Sequence, residues 1–426
     1  MAATFEYALD DHVHLREVFT FPSPPEPLTQ VRRTAFERVL AHLHVAAGLS
    51  YYKLAAPPCV RIECGAWTDD EIVFHRTLLA KGLGEYSWKN GLDAELLPAF
   101  EYRAAEKSAP VTALSLDAGP LVPVGGGKDS CVTIEALRAM GRPVTLVTVN
   151  RYPVIQEVID AAELPDLAVR RVLDPQLAAL NAGGARNGHV PVTAIVSLAV
   201  IATAILHGHD AVVMSNERSA SEGNVLYQGV EINHQWSKSD EAEQMMANLV
   251  ASITPELSYF SLLRPLSELA IARRFAQTCG RYLDSFSSCN AAFRLDPSRR
   301  VSRWCGNCPK CQFVYLALAT ALDRSTLMRI WGGELFMTSP IHGFRELLGL
   351  TDWKPFECVG ERLECRVAIR LLTDGEREWA DHTVLQLLAA EVVAAGLWPT
   401  ATDVEAVFVT AAGFAPDRYA RLLVDA

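Results

Sequence analysis

Leu121-Val122-Pro123-Val124-Gly125-Gly126-Gly127-Lys128-Asp129-Ser130 is the stretch that decides the reading of this chain. Leu121 to Val124 reads as a short buried strand, and Ser130 to Met140 as a helix. The three glycines between them let the backbone turn tightly with its N–H groups converging, and the helix N-terminus adds partial positive charge. Such a turn is a cradle for phosphate, to which Lys128 adds a point charge and Ser130 a hydroxyl donor. Two other phosphate loops do not fit. A Walker loop needs Ser or Thr after Gly-Lys and a glycine five positions before the second glycine, where this chain has Asp129 and Val122. In a dinucleotide G-x-G-x-x-G loop the third glycine would be Ser130.

Outward from the loop, strands and helices alternate. Val144–Val149, Leu167–Leu173 and Ala211–Met214 read as strands; Val154–Ala162 and Val192–Leu206 read as helices. That spacing predicts an α/β fold with a doubly wound parallel sheet. Ligands in such sheets bind beyond the carboxyl ends of the strands, so the residues after Val124, Val149 and Met214 matter most. Upstream, Phe5–Leu9 and Val13–Val18 predict a hairpin, Phe36–Val45 a helix ending at Gly48, and Asp69–Leu83 a second helix. Ser108–Pro120 reads as a linker. The expected organisation is an α+β N-terminal domain (1–115), a phosphate-binding α/β domain with a cysteine knuckle (116–325) and a mainly helical C-terminal region (326–426).

Half of the 426 residues are apolar and 21% are charged, which excludes general disorder. The formal net charge of −11 argues against a sequence-independent nucleic-acid binder, which needs clustered Lys and Arg. Met1–Glu6 lacks the basic and apolar regions of a signal peptide. The longest apolar run, Val192–Leu206, falls short of the ~20 residues that span a bilayer. A cytoplasmic protein without membrane attachment is expected.

Ten cysteines are too few for a disulfide scaffold, but Cys289, Cys305, Cys308 and Cys311 cluster as C-x15-C-x2-C-x2-C. Four thiolates at that spacing suit tetrahedral Zn2+. A cubane iron–sulfur cluster also takes four, although the ferredoxin run would end in Cys-Pro where Tyr315 stands. Cys59, Cys64, Cys131, Cys279, Cys358 and Cys365 read as buried thiols. Ser215-Asn216-Glu217-Arg218-Ser219-Ala220-Ser221-Glu222-Gly223-Asn224, at the carboxyl end of a predicted strand, is too polar to be packing. With Asn233-His234-Gln235-Trp236-Ser237-Lys238 and Arg186-Asn187-Gly188-His189 it marks one crevice.

The Gly-rich loop resembles the S-G-G-x-D-S loop of the PP-loop ATP pyrophosphatases, with Gly125 in place of the first Ser, and Arg264-Pro265-Leu266-Ser267-Glu268-Leu269 resembles a later motif of that superfamily. The four-cysteine arrangement is similar to that of another PP-loop enzyme, 7-cyano-7-deazaguanine synthase, where it holds zinc. Asn187–Ala194, Ser215–Asn224, Asn233–Gln235, Lys354–Glu361, Leu348–Leu350 and Gly48–Lys53 together resemble the UDP-N-acetylmuramoyl-L-alanyl-L-glutamate epimerase family. The likeness runs from about Leu40 to Glu361. It implies inversion of the terminal L-glutamate of a UDP-muramyl dipeptide with ATP and Mg2+, in peptidoglycan precursor synthesis.

ATP has a chemical reason in that reaction. Deprotonating a carbon beside a free carboxylate piles a second negative charge next to the first; adenylation removes the first and makes the carbonyl an electron sink. A base and an acid then exchange the α-proton, and hydrolysis releases AMP. In this reading Gly125, Gly126, Gly127, Lys128, Asp129, Ser130, Asn216 and Arg264 bind the nucleotide, with Asp129 and Glu217 placed to hold Mg2+. His234 is the first candidate proton carrier by its reference pKa, followed by Lys238, Glu217 and Glu222. Arg264–Lys310, with nine Lys and Arg against three acidic residues, can face the uridine diphosphate, an RNA backbone or only solvent. The competing enzyme class is a PP-loop enzyme that amidates or thiolates a nucleobase or tRNA, for which Cys131 beside the loop is the only pointer. The pattern carries no signal of oligomeric state.

Overall fold

Three short strands show how the sheet is covered. Val122, Leu146, Ala211 and Val213 enter one apolar cluster while Leu121, Val147, Val212 and Met214 enter another, so neighbouring residues face opposite cores. A strand buried on both faces needs no polar alternation, which is why these segments read as continuous apolar runs. The computed structural model describes residues 1–10, 12–105, 113–294, 296–374 and 378–423.

In chain order the strands are β1 (Ala2–Leu9), β2 (Val13–Thr20), β3 (Cys59–Trp67), β4 (Ala99–Ala104), β5 (Pro120–Pro123), β6 (Thr145–Val149), β7 (Asp166–Val172), β8 (Ala211–Met214), β9 (Val225–Tyr227), β10 (Val230–Ile232) and β11 (Ser258–Ser261). The main sheet has the order β1-β2-β7-β6-β5-β8-β11. β7, β6, β5, β8 and β11 run parallel, and the β1–β2 hairpin joins β7 antiparallel. The chain leaves β5 for β6 and β7 on one side and returns to β8 and β11 on the other. The crevice of this α/β sheet therefore lies where β5 and β8 end.

The helices up to the knuckle are α1 (Gln30–Tyr52), α2 (Asp69–Gly82), α3 (Gly84–Asn90), α4 (Lys128–Arg138), α5 (Pro153–Ala162), α6 (Gln176–Ala182), α7 (Val192–His207), α8 (Asp240–Ile253), α9 (Glu268–Thr278) and α10 (Pro309–Ala319). The region beyond is helical, as expected, with Arg362–Thr373 and Thr383–Ala394 its longest elements. α7 is buried on nearly every side, which its apolar composition requires. Among the described residues no helix is long and apolar enough to cross a membrane.

Three details differ from the sequence reading. α1 does not stop at Gly48 but continues to Tyr52. A Cβ at Gly48 would stand 3.0 Å from the Tyr7 ring, so this glycine makes room for the hairpin and does not end the helix. β11 and the parallel pair β3–β4 carry too little periodicity to be anticipated. Of the expected linker, residues 108–112 lie outside the described residues, and Pro120 already belongs to β5.

Candidate active site

The Gly-rich turn is held from behind. Gly126 has φ +83°, a conformation that favours glycine, and its carbonyl accepts from the Ser287 N–H at 2.8 Å. A Cβ on Gly127 would meet the Ser288 side chain at 3.2 Å. Ser130 lies in the first turn of α4, where its hydroxyl donates to the Gly127 carbonyl at 2.9 Å. Lys128 is buried, its ammonium bound between the carboxylates of Asp129 and Glu268. Its charge is thus committed to protein partners beneath the loop, because Glu268 at the start of α9 is itself buried and needs a cation.

Asp129 from α4, Glu217 after β8 and Glu268 from α9 place carboxylate oxygens within 4.8 Å of one another. Burial, opposed by Lys128 and reinforced by Asp129 and Glu217, pushes Glu268 well above the usual carboxylate range. Burial acts the same way on Asp129, but Lys128, Lys310 and Lys238 override it and hold that carboxyl low. One oxygen of Glu268, Oε1, is buried without a hydrogen-bond partner. Hard oxygen ligands and an orphaned lone pair fit a divalent cation.

The loop after β8 is organised by Arg264. Its guanidinium donates to Glu243 at 2.8 and 3.0 Å, to the Glu217 carbonyl at 2.6 Å and to the Lys238 carbonyl. Asn216 donates to the Ser261 hydroxyl at 3.1 Å, tying the ends of β8 and β11 together. Both side chains are buried, and they fix the backbone on which Glu217 and Lys238 stand.

A second polar group lies beside this one. The His234 ring is hydrogen-bonded through Nδ1 to Glu85 of α3, and the backbone N–H of His234 donates to the Asn224 side chain at 2.7 Å. His189 packs against it with ring centroids 4.2 Å apart and lies 3.7 Å from the same Glu85 oxygen. Lys238 Nζ donates to Cys358 Sγ at 3.2 Å, and the His234 imidazole acts electrostatically on the same sulfur. Burial would raise the Cys358 thiol; Lys238, His234 and Lys310 bring it down to about 6. Burial would lower His234, yet Cys358 and Glu85 raise it to about 9. His189 goes the other way, to about 3, through burial and the charge of His234.

Cys289, Cys305, Cys308 and Cys311 converge where the sequence put them. Three Sγ–Sγ separations are 3.9, 3.7 and 3.5 Å. Four thiolates at 2.3 Å from a tetrahedral Zn2+ stand about 3.8 Å apart, so the donor set fits that ion. Cys308 caps α10 and Cys311 lies in its first turn, while Cys289 directly follows the Ser287–Ser288 pair that backs the Gly-rich loop.

Comparison with known proteins gives these clusters a family. The MurL N-terminal domain family matches residues 1–262 and the MurL C-terminal domain family matches residues 285–403. The chain belongs to the MurL family. Relatives from Salinispora tropica (45% identity over 99% of this chain and 92% of that protein), Micromonospora sp. (46%, 92% and 87%) and Xanthomonas oryzae pv. oryzae (42%, 92% and 86%) are each named UDP-N-acetyl-alpha-D-muramoyl-L-alanyl-L-glutamate epimerase.

In this MurL chain the contacts separate the expected residues. Glu217, Asp129 and the loop come together, as do His234 and Lys238. Glu222 is held elsewhere, by Lys354 at 2.7 Å and Arg362 at 3.3 Å. The basic stretch from Arg264 to Lys310 disperses: Arg273 covers the Phe408 ring, Arg274 donates to the Leu423 carbonyl and Lys310 to the Cys358 carbonyl. Glu85, Glu268 and Cys358 were not among the expected site residues. Glu268 and Cys358 stand inside strings that carried the resemblance, which was a usable signal; Glu85 sits in no such string. Two of the thiols expected to be buried and inert differ: Cys59 is exposed on β3, and Cys358 is half-buried among cations.

Proposed function

We propose that this chain inverts the terminal L-glutamate of UDP-N-acetylmuramoyl-L-alanyl-L-glutamate, using ATP and releasing AMP and pyrophosphate in the cytoplasm. The observation that carries the reading is the adjacency of two groups with opposite chemistry. One is a phosphate-type loop with three carboxylates; the other is a proton-transfer group of His234, Lys238 and Cys358. Lys238 joins them, since Asp129 and Glu217 face it on one side and Cys358 on the other. The names of the three relatives supply the substrate.

In this reading the loop Gly125–Ser130, as the phosphate loop of a PP-loop domain spanning residues 116–325, receives ATP. The substrate carboxylate attacks the α-phosphorus, an O–P bond forms and pyrophosphate leaves. Asp129, Glu217 and Glu268 would hold Mg2+, which supplies charge neutralisation at the phosphates. Arg264 and Asn216 position Glu217 from behind. The α-proton, acidified by the adenylated carboxyl, is exchanged within the His234 group, and water then releases the D-epimer and AMP. The four cysteines would hold a structural Zn2+ that ties residues 289–311 to the back of the loop. A thiolating activity finds no support at Cys131, which is fully buried with its thiol pushed up by burial and neighbouring negative charge.

The test is a nucleotide and product analysis. With UDP-muramoyl-L-alanyl-L-glutamate, ATP and Mg2+, AMP, pyrophosphate and a D-glutamyl product should accumulate together. ADP and phosphate, or unchanged L-glutamate, would remove the proposal.

A further inference from the structure

Cys358 lies on a strap between helices Ile341–Leu348 and Arg362–Thr373, and the strap is fastened along its length. Asn224 donates from its side chain to the Pro355 carbonyl at 2.7 Å and accepts on its own carbonyl from the Lys354 N–H at 3.1 Å. Lys310 donates to the Cys358 carbonyl, and the Phe356 ring stacks on Trp88 at 4.5 Å. The same Asn224 side chain accepts from the backbone N–H of His234, so one residue fastens both the strap and the backbone that carries His234. The sulfur ends up with an ammonium 3.2 Å away, and the His234 charge acts on it as well. Cys131 and Cys365, which pack in the core without such neighbours, have thiols pushed up by burial instead.

We propose that Cys358 is a catalytic residue: its Sγ, as a thiolate, is the base on one face of the glutamyl α-carbon, and the His234 imidazolium is the acid on the other. The inference rests on the epimerase reading above. The α-carbon enters between the two groups. The Cα–H bond breaks, an S–H bond forms, and the electron pair moves onto the carbonyl oxygen of the activated carboxyl. That carbonyl re-forms as the imidazolium delivers its proton to the opposite face of carbon. Cys358 is now a thiol and His234 a neutral imidazole; once product leaves, the S–H passes its proton to the ring and the starting pair is restored. Inversion by this route needs the base deprotonated and the acid protonated at the same time. A free thiol and a free imidazole seldom hold that combination, since the imidazole is the stronger acid of the two. Here Lys238, His234 and Lys310 favour the thiolate against burial and Glu357, while Cys358 and Glu85 favour the imidazolium against burial.

The pH signs follow from the two groups. Turnover should rise as pH passes about 6, where the thiolate forms, and fall above about 9, where His234 loses its proton. A histidine acting as the base would give the opposite sign at His234, with turnover rising through its pKa.

The experiment compares wild type, Cys358→Ser, Cys358→Ala and Cys59→Ser for deuterium entry at the glutamyl α-carbon in D2O with the UDP-muramyl dipeptide, ATP and Mg2+. The Cys358 variants should lose about 10³-fold or more in exchange, while the exposed-thiol control Cys59→Ser keeps it. The ultraviolet difference spectrum of wild type minus Cys358→Ser should show thiolate absorbance titrating near pH 6, and His234→Gln should move that midpoint upward. This titration needs no turnover and holds even where a variant is weakly folded. Exchange within tenfold of wild type in Cys358→Ser, or no thiolate step below pH 8, overturns the role of Cys358. No exchange in wild type itself overturns the epimerase reading instead.

Discussion

The four-cysteine knuckle and the Cys358–His234 group both gather sulfur, yet they are built in opposite ways. Three of the four knuckle thiols sit within seven residues, and α10 starts on them. The other group draws Glu85, His189, His234, Lys238 and Cys358 from segments that span most of the chain. In the knuckle the thiols face one another, a donor set that suits a metal. Around Cys358 the cations come from the protein. A local cluster is a fold device; a cluster assembled by topology, each member held by its own strap or helix, has its cost distributed and its chemistry free.

The variant with the largest expected effect breaks the first region. Cys308→Ser removes one thiolate from the proposed zinc site, whose metal would contribute on the order of 10 kcal/mol to folding. It should abolish bound metal and lower both soluble yield and melting temperature; metal analysis and calorimetry check this. A well-folded wild-type protein with no zinc would cancel the contrast. Next comes Glu268→Gln, which leaves the buried Lys128 ammonium with Asp129 alone. Loss of one partner from a buried pair costs about 3–5 kcal/mol, and AMP formation should fall below detection while some folded protein remains.

Cys365→Ser sharpens the contrast with Cys358. Its sulfur is buried in the core, so a hydroxyl there should cost about 1–3 kcal/mol, read as a lower melting temperature, with α-proton exchange per folded molecule unchanged. The smallest effect is expected at Arg281, which is 3.8 Å from Glu135 and largely solvated. Arg281→Ala should change stability by less than about 1 kcal/mol and leave turnover intact. A large loss of substrate affinity there would revive the basic stretch as a polyanion-binding face.

How much of this was legible follows the same division. The strands around the Gly-rich loop could be read because residues buried on two faces leave an apolar run between turns. The knuckle could be read because its ligands are close in sequence. Asp129, Glu217, His234 and Lys238 were legible because polar residues followed predicted strands or carried a family string. Glu85 was not, since a glutamate in a short helix looks like any solvated residue until β10 and the 234 loop pack on α3. Cys358 was misjudged for a related reason: a lone cysteine carries no pattern, and its character comes from Lys238, 120 positions away. Gly48 erred in the opposite sense, as a local stop signal overruled by a tertiary contact with Tyr7.

The most direct test of the account joins its two regions in one reaction. UDP-muramoyl-L-alanyl-L-glutamate is incubated with ATP and Mg2+ in D2O, and AMP is counted against D-glutamyl product while the α-position is read by mass spectrometry. The account predicts one AMP for each D-glutamyl residue formed, with deuterium at its α-carbon. D-glutamyl product formed without AMP, or AMP formed with the L-centre and its α-hydrogen both intact, would contradict it.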